Sequence, residues 1–196
     1  ANAWQVSFYV PHDMPGLIEL YGGTKGFESK LDSLFTVPWN PKHIARNVET
    51  MIGQYCHGNQ PDHEAPFAYH FIGKPEKSQK ILDTIMNALY GIGDEGLALS
   101  GMDDAGEMSA WYVFAALGFY PVTPSVPQYV ISGPHFDKIT IRLDMGKKLI
   151  INAKGASSGN NYIQNISFNG EEYDKTFLDH FSIIKGGKLD FKMSNV

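Results

Sequence analysis

The sequence is poor in several features that mark common functional classes. It has one cysteine, Cys56, so it cannot form an internal disulfide, and no zinc-cluster spacing is present. It has two arginines, Arg46 and Arg142, and a net charge of -5, so we expect no nucleic-acid partner because there is no basic patch for phosphates. No run approaches the ~20 apolar residues of a transmembrane helix, so we expect no membrane span.

The overall composition is that of a folded protein with a substantial core. Hydrophobic residues make up 43% and charged residues 19% of the 196 positions, which excludes a disordered chain. The length allows one or two domains. Aromatic residues reach 13%, a content that suits sugar binding and suits a large core equally well.

Apolar residues recur at helical spacing through the first part of the chain. The pattern predicts a helix from Met14 with Asp13 as its cap, and a helical turn over residues 68–72. Further helices are predicted over residues 26–35, over residues 41–52 with Met51 and Ile52 on the inner face, and over residues 78–89.

From Gln128 onward the apolar period changes from that of a helix to that of a strand. Strands are predicted over residues 139–143, 149–153, 162–168, 181–184 and 189–193, with glycine-rich turns between them. We therefore predict an α+β chain, with a helical part at residues 1–124 and an antiparallel β-sheet or sandwich module at residues 125–196.

The most informative stretch is GMDDAGEMSAWYVFAALGFYPV, at residues 101–122. Asp104 and Glu107 have the spacing of a capping box, which predicts a helix with Asp104 as N-cap. The helix is apolar on nearly every side and is expected to be buried, ending at Gly118. From these local features alone, Asp103 and Asp104 are either a helix cap or a pair of reactive carboxylates.

Four segments resemble glycoside hydrolase family 92, a group of calcium-dependent, inverting exo-α-mannosidases. They are WQVSFYVPHDMPGLIELYGG, GNQPDHEAPF, MDDAGEMSAWYVFAALGFYPV and NYIQNISFNG, and together they span most of the chain. The family has a β-sandwich, a catalytic (α/α)6 barrel and a terminal β module. The resemblance implies that this chain is a fragment with the last part of the barrel and the β module, whose partners are the upstream β-sandwich and the rest of the barrel. An incomplete barrel predicts an exposed apolar face, with association or poor stability of the isolated chain.

The resemblance assigns the general base to Asp104, with Asp103 in a supporting role. An inverting glycosidase needs a carboxylic acid and a carboxylate base ~6.5–9.5 Å apart, with a water between base and sugar. The family's general acid is a glutamate in a Glu-Gly-Asn/Ser-x-Trp-Gln segment, of which NAWQ remains here at residues 2–5. That glutamate falls just before residue 1, so the chain alone is expected to be inactive. Met102 stands where the family often has Asp or Asn.

The same resemblance implies a calcium site and a sugar contact. Asn59, Gln60 and Asp103 match positions near the metal, and their oxygens are the type of ligand that calcium takes. Gln60 stands where the family usually has Glu. His63 and Glu64 match a pair that recognises the leaving sugar of α-1,2-linked mannosides. From the residues alone, the Asn-Gln-Pro sequence at 59–61 favours a turn over a metal site, and a capping or core role for His63 fits as well as sugar recognition.

The expected function is hydrolysis of a mannose-containing glycan, with α-1,2 linkages as the substrate class. The alternative is a non-catalytic carbohydrate-binding module, for which the β part qualifies but the acidic pair before a helix does not. A toroid-fold phosphorylase needs a basic phosphate site, and no Arg or Lys cluster adjoins Asp104. The family's action on external glycans implies a periplasmic or extracellular location in a bacterium.

Overall fold

The computed structural model describes residues 2–39, 51–92 and 98–195. The first part is mainly helical. Its elements are the helices α1 (Ala3–Val6), α2 (Met14–Leu20) and α3 (Thr24–Thr36), the strands β1 (Met51–Ile52) and β2 (Tyr55–Cys56), 3-10 helices at Gln60–Asp62 and Ala65–Ile72, and the helices α4 (Pro75–Ala88) and α5 (Glu107–Leu117).

Two of the predicted helices show why the sequence pattern was sufficient there. The Asp13 carboxylate accepts a hydrogen bond from Gly16 N at 3.0 Å, which caps α2 as predicted. In α4, the apolar side chains of Leu82, Ile85 and Met86 are buried on one face, as the helical spacing predicts.

The predicted helix over residues 41–52 is wrong at its described end. Met51 and Ile52 pair with Cys56 and Tyr55 in an antiparallel hairpin instead. The hairpin is held on α3 by a hydrogen bond from Gln54 N to Leu34 O at 2.7 Å, a contact that local periodicity does not contain. Residues 41–50 of that prediction lie outside the described residues.

The second part, within the described residues, contains two further sheets, one short α-helix and two 3-10 helices at Asp144–Gly146 and Ala156–Ser158. Its elements are β3 (Phe119–Tyr120), β4 (Gln128–Ile131), β5 (Lys138–Arg142), β6 (Lys148–Asn152), β7 (Tyr162–Phe168), β8 (Glu171–Glu172), β9 (Phe177–Asp179), α6 (His180–Ile183) and β10 (Gly187–Ser194). The five-stranded sheet has the order β5-β6-β10-β7-β8, and the three-stranded sheet has the order β3-β4-β9.

Two features of this part differ from the prediction. The sheets are antiparallel except that β10 runs parallel to β6, with Leu189 opposite Ile151. β10 lies between β6 and β7 and is antiparallel to β7. The strand predicted over residues 181–184 is wrong, since the Asp179 carboxylate accepts hydrogen bonds from Ser182 N and Oγ and caps α6 there.

The apolar residues form two clusters that meet at β3 and β4. The first packs around Trp111 among the helices, and the second fills the space behind the five-stranded sheet. Phe114 of α5 packs against both clusters, so α5 joins the helical part to the sheets. Some large apolar side chains remain exposed, including Leu20 (86%) and Ile92 (94%). Among the described residues, no helix has the length and apolar character needed to cross a membrane.

Candidate active site

The acidic pair lies on a loop with a constrained backbone directly before α5. Three consecutive residues, Asp104 (φ 44°), Ala105 (φ 61°) and Gly106 (φ 89°), are left-handed. This region is unfavourable for residues with a side chain, and aspartate tolerates it better than alanine does. The prediction of Asp104 as N-cap is wrong, because α5 starts only at Glu107 and Gly106 occupies the cap position without a side-chain hydrogen bond.

Asp103 does the capping instead, from one residue further upstream. Its Oδ1 accepts hydrogen bonds from both the backbone N and the Oγ of Ser109, each at 2.9 Å. Asp104 is exposed, and no described residue hydrogen-bonds its carboxylate. One carboxylate therefore fixes the loop to the helix, and the other is left free to react with a water or a ligand.

The exposure of α5 is also greater than its apolar sequence predicts. Ser109, Ala110 and Val113 are exposed, so one face of the helix is open to solvent on the side where Asp103 binds Ser109. Trp111 and Ala115, on the other face, are buried in the core. The helix therefore has one face in the core and another beside the acidic loop.

A second segment, residues 58–64, packs directly on the acidic loop. Gln60 Nε2 donates to Met102 O at 2.7 Å. At Gly101 a Cβ would lie 2.7 Å from Gly58 O, so the two backbones approach too closely for a side chain there. The predicted calcium ligands Asn59, Gln60 and Asp103 thus come from two segments that are in contact.

The donor set of these residues fits part of a calcium shell. The Gln60 amide nitrogen is engaged by Met102 O, which leaves its carbonyl oxygen for a cation, and Asp103 has one oxygen that Ser109 does not use. Calcium takes about six to eight oxygen ligands. Within residues 2–39, 51–92 and 98–195, no group of three His, Cys, Asp or Glu side chains is arranged to hold a metal, so further ligands are required.

Burial changes the pKa of two acidic side chains in the 58–64 segment. Burial, with a smaller contribution from nearby Glu107, raises the pKa of Glu64 to about 7. Burial also raises the pKa of Asp62 to about 7. Glu64 Oε2 is buried and no described residue provides a hydrogen-bond partner for it. A buried oxygen without a partner is costly, so this position favours binding of a hydroxyl or another donor.

His63 lies inside the core rather than on the surface. Its ring is fully buried, with Nε2 2.8 Å from His57 O and Nδ1 3.0 Å from Glu107 Oε1. Trp111 Nε1 donates to the backbone oxygen of His63 at 3.1 Å. Of the two alternatives for His63, the structure shows the core position, and its assignment to sugar recognition stays a prediction.

A buried hydrogen-bond chain runs through His57, whose ring stacks on that of His63. His57 Nδ1 lies 2.6 Å from Tyr55 Oη and its Nε2 lies 2.7 Å from Tyr90 Oη, which in turn donates to Met108 O at 3.2 Å. Since a carbonyl only accepts, the chain is satisfied by a neutral His57 that donates from Nε2. Burial, and then the neighbouring His63, lower the pKa of His57 to about 2.

Sequence reasoning did not single out His57 or Ser109 at this site. Ser109 carried a usable signal, a hydroxyl in the first turn of a helix shortly after an acidic pair. His57 carried none, because its partners Tyr55 and Tyr90 are fixed only by the fold.

The comparisons with known proteins agree with one another. Residues 1–195 match the model of the Glycosyl hydrolase family 92 catalytic domain. A family GH92 α-mannosidase from Bacteroides thetaiotaomicron is 41% identical with a TM-score of 0.89, over 98% of this chain and 25% of that chain. A family GH92 inverting mannosidase from the same species is 36% identical with a TM-score of 0.85, over 100% of this chain and 28% of that chain.

A curated relative extends the likeness to a fungus. An uncharacterized secreted glycosidase from Arthroderma benhamiae is 32% identical, over 98% of this chain and 23% of its own length. The chain therefore spans about a quarter of the length of these relatives. Because the family match runs over nearly the whole sequence, the chain belongs to glycoside hydrolase family 92.

Proposed function

We propose that this chain carries the base-bearing part of an inverting α-mannosidase, with Asp104 as the general base. One observation carries the proposal: Asp104 is exposed on a left-handed loop whose position is fixed from both sides. Asp103 ties the loop to α5 through Ser109, and Gln60 ties it to the neighbouring segment through Met102 O. Backbone strain of this kind is concentrated at functional sites.

In the proposed reaction, Asp104 takes a proton from a water that attacks the anomeric carbon of the mannoside. An inverting reaction requires a second carboxyl group to protonate the leaving oxygen from the opposite face. The family resemblance assigns that acid to a glutamate that is not among these residues. We therefore propose that the 196 residues alone do not hydrolyse mannosides, and that a polypeptide of the relatives' length does.

The proposed substrate is a terminal α-mannoside, with an α-1,2 linkage. Glu64 supports this choice, because its buried Oε2 needs a donor and a sugar hydroxyl supplies one. The substrate class is also supported by two structural relatives described as mannosidases, one of them inverting. The glycan is proposed to lie outside the cell, in keeping with the secreted relative.

Calcium is proposed to bind at Asn59, Gln60 and Asp103, with the remaining ligands supplied from outside these residues. When bound, the ion would contact hydroxyl oxygens of the mannose and favour its distorted conformation. Asp103 would then have two functions, since the oxygen that accepts from Ser109 holds the loop and the other would be available to the ion. The helical part is proposed to complete an (α/α)6 barrel together with the rest of a longer polypeptide.

The test is release of mannose from α-1,2-mannobiose by a polypeptide extended to the relatives' length. The wild type is compared with Asp104→Asn, with and without EDTA. Loss of a general base lowers kcat by about 10²–10⁴-fold. We expect that loss in Asp104→Asn without a change in thermal stability, because the side chain is exposed. We also expect EDTA to abolish the wild-type activity.

Asp144→Asn is the matched control. Asp144 is also an exposed aspartate at a left-handed turn, followed by Met145 (φ 57°), but it lies between β5 and β6. It should retain full activity. Wild-type rates in Asp104→Asn would refute the assignment of the base, and activity that persists in EDTA would refute the calcium site. Mannobiose binding without hydrolysis by the wild type would favour a carbohydrate-binding module.

A further inference from the structure

A cleft of about 260 Å³ opens where the helical part meets the sheets. It is lined by Pro75 and Gln79 at the start of α4, by Ile131 of β4, by residues 163–166 of β7 and by residues 172–176. We call it the junction cleft. None of its lining residues belongs to the acidic loop or to the 58–64 segment. Clefts between structural units are where proteins commonly bind small molecules.

The segment that leads from β8 to β9 is held in place at both ends. Tyr173 N donates to Ile166 O at 2.9 Å, and the Tyr173 hydroxyl group donates to Phe177 O at 2.7 Å. At the far end of the segment, Ile131 N donates to Thr176 O at 2.9 Å. The junction cleft is therefore preformed, so a ligand has to order little of the protein when it binds.

Gln79 provides the junction cleft with a hydrogen-bond donor that the protein does not use. The residue is 6% exposed, and its Oε1 accepts a hydrogen bond from Ile163 N at 3.2 Å, which connects α4 to β7. Among the described residues, none accepts a hydrogen bond from Gln79 Nε2. The contact with Ile163 fixes the orientation of the amide, and its free N–H groups favour a ligand with an acceptor oxygen.

A pair of polar side chains on β7 and β8 provides acceptors. Asn165 Nδ2 donates to Glu172 Oε1 at 3.3 Å, and both residues line the junction cleft. Asn165 Oδ1 and Glu172 Oε2 have no hydrogen-bond partner among the described residues. The cleft therefore offers a donor from α4 and acceptors from the sheet.

The combination of these polar groups with an apolar lining fits a neutral saccharide. Ile131, Ile163 and Tyr173 provide apolar surface in the cleft. A sugar ring has C–H groups that pack on such a surface, and aromatic side chains are well suited to this contact because they combine an apolar face with a polar end. The hydroxyl groups of the sugar both donate and accept hydrogen bonds, so they match the donor and the acceptors of the cleft.

Other classes of ligand fit less well. An apolar ligand would leave Gln79 Nε2 without an acceptor. An anionic ligand would lie beside Glu172 and Asp174, and of the described lining residues only Lys175 is cationic. The volume of about 260 Å³ lies just below the range of about 300–1,000 Å³ that is typical for drug-sized ligands, which suits a single sugar ring.

We propose that the junction cleft is a second glycan-binding site, which holds one sugar ring of a neutral glycan away from Asp104. The two sites lie toward opposite ends of α4. Gln79 is in the second turn of α4, whereas Tyr90, just beyond the other end, donates to Met108 O in the first turn of α5. At ~1.5 Å per residue, Gln79 and the last residue of α4, Ala88, are roughly 14 Å apart.

The second site goes beyond the proposed function, because it requires binding without hydrolysis. A branched or polymeric glycan that is held at the junction cleft has its other chain ends at a raised local concentration near the acidic loop. The junction cleft would therefore help a glycosidase to stay on such a substrate between cleavage events.

The site is tested by NMR titration of the ¹⁵N-labelled 196-residue chain with α-1,2-mannobiose. We expect shifts in the side-chain NH₂ signals of Gln79 and in the backbone signals of residues 163–166 and 172–176. Unchanged cleft signals at millimolar mannobiose would overturn the second site, as would shifts confined to residues 58–64 and 103–106. Cleft signals that respond to inorganic phosphate but not to mannobiose would show an anion site and would also overturn it.

Two variants remove polar groups of the junction cleft. Gln79→Glu keeps an acceptor for Ile163 N but removes the Nε2 donor, and Asn165→Ala removes an exposed acceptor without changing the core. Each should weaken mannobiose binding by about five- to tenfold, the effect of one hydrogen bond. Asn87→Ala is the matched control, because Asn87 Nδ2 donates to the Asp83 carboxylate at 2.8 Å on α4 but lies outside the cleft.

The outcomes separate the two proposals. Wild-type affinity in both Gln79→Glu and Asn165→Ala would overturn the junction cleft as the binding site, and so would an equal loss of affinity in Asn165→Ala and Asn87→Ala. A polypeptide of the relatives' length that releases no mannose would defeat the proposed function instead, and the titration would still decide whether the junction cleft binds a sugar.

Discussion

The two parts of the chain bury different kinds of side chain. Up to residue 124, the described core includes a set of polar groups: Gln5, Gln54, His57, Asp62, His63, His70, Ser78, Gln79 and Ser100. Within described residues 125–195, Ser132 is the buried polar residue, and the core is otherwise apolar, with Leu149, Ile151 and Leu189 behind the sheet. Buried polar groups must be hydrogen-bonded or lose stability, so the helical part carries a cost that the sheets do not.

The pKa values of the carboxylates also differ between the two parts. Burial raises the pKa of Asp62 and of Glu64 to about 7 in the helical part. In the second part, hydrogen bonds from Ser157 lower the pKa of Asp137, which directly precedes β5. Partial burial opposes this effect at Asp190, but hydrogen bonds from Lys188 and Asn152 still lower its pKa. Asp62 Oδ2 accepts a hydrogen bond from Cys56 N, but Glu64 Oε2 has no partner among the described residues, which makes Glu64 a functional-site candidate.

The largest stability effect is expected from His57→Leu. The leucine fills much of the same space but removes the acceptor for the Tyr55 hydroxyl and the donor to Tyr90. Leaving such buried groups without partners should lower the free energy of unfolding by about 3 kcal/mol. The measurement is guanidinium unfolding of the 196-residue chain followed by circular dichroism.

Ile151→Leu provides the comparison in the apolar core. Ile151 is fully buried in β6, and a swap of equal volume should cost less than about 1.5 kcal/mol. If His57→Leu lowered the free energy of unfolding as little as Ile151→Leu, the hydrogen-bond chain through His57 would contribute nothing to stability. The two cores would then not differ in this respect.

The sequence predicted elements whose determinants are local. Asp13 caps α2 because the acceptor and the first turn are neighbours in sequence, and the alternating strands β5, β6, β7 and β10 formed where the pattern placed them. The hydrophobic pattern was insufficient where a single capping side chain decided between a strand and a helix. Alternating apolar residues after Asp179 predicted a strand, but its carboxylate starts a helix by binding Ser182.

The site could be predicted only in part for the same reason. The acidic pair and the 58–64 segment were recognisable, but the exchange of roles between Asp103 and Asp104 depends on three left-handed residues that spacing does not reveal. The contact of Glu107 with His63 spans 44 positions and is created by the fold. A capping box and a strained loop before a helix share the same residue types at the same spacing here, so spacing alone did not distinguish them.

A smaller effect, visible only as a pH dependence, is expected for Glu64→Gln. The folded pKa of Glu64 is about 7, above its ordinary value, so between about pH 4.5 and 7 the folded state holds a proton that the unfolded state has lost. Wild-type stability therefore falls as the pH rises through this window. Glutamine cannot ionise, so the variant should be more stable than the wild type at pH 8, by about 2 kcal/mol, and similar at pH 4.5.

Thermal unfolding at pH 4.5, 6 and 8 measures this difference, and the exposed Glu172→Gln on β8 is the control that should not change the slope. The variant should keep a reduced pH dependence, because Asp62 has a raised pKa of its own. Parallel curves for wild type and Glu64→Gln would contradict the assignment of Glu64 as an unpaired core acid.

The smallest effect is expected from Ala105→Gly in the acidic loop. Ala105 is exposed and left-handed, so glycine relieves strain of about 1–2 kcal/mol, offset by about 0.5–1 kcal/mol of added backbone entropy in the unfolded state. The net gain should be about 0.5 kcal/mol in thermal unfolding. Ser125→Gly, at another exposed left-handed residue (φ 63°), should gain a similar amount.

Activity distinguishes these two glycine variants. If the strained loop holds Asp104 in its reactive position, Ala105→Gly lowers kcat in the longer polypeptide while it raises stability, because the loop gains freedom. Ser125→Gly, which precedes β4, should raise stability and leave kcat unchanged. Equal activity in both variants would mean that the restricted backbone freedom of Ala105 is not required to hold Asp104, and that the hydrogen bonds through Ser109 and Gln60 are sufficient.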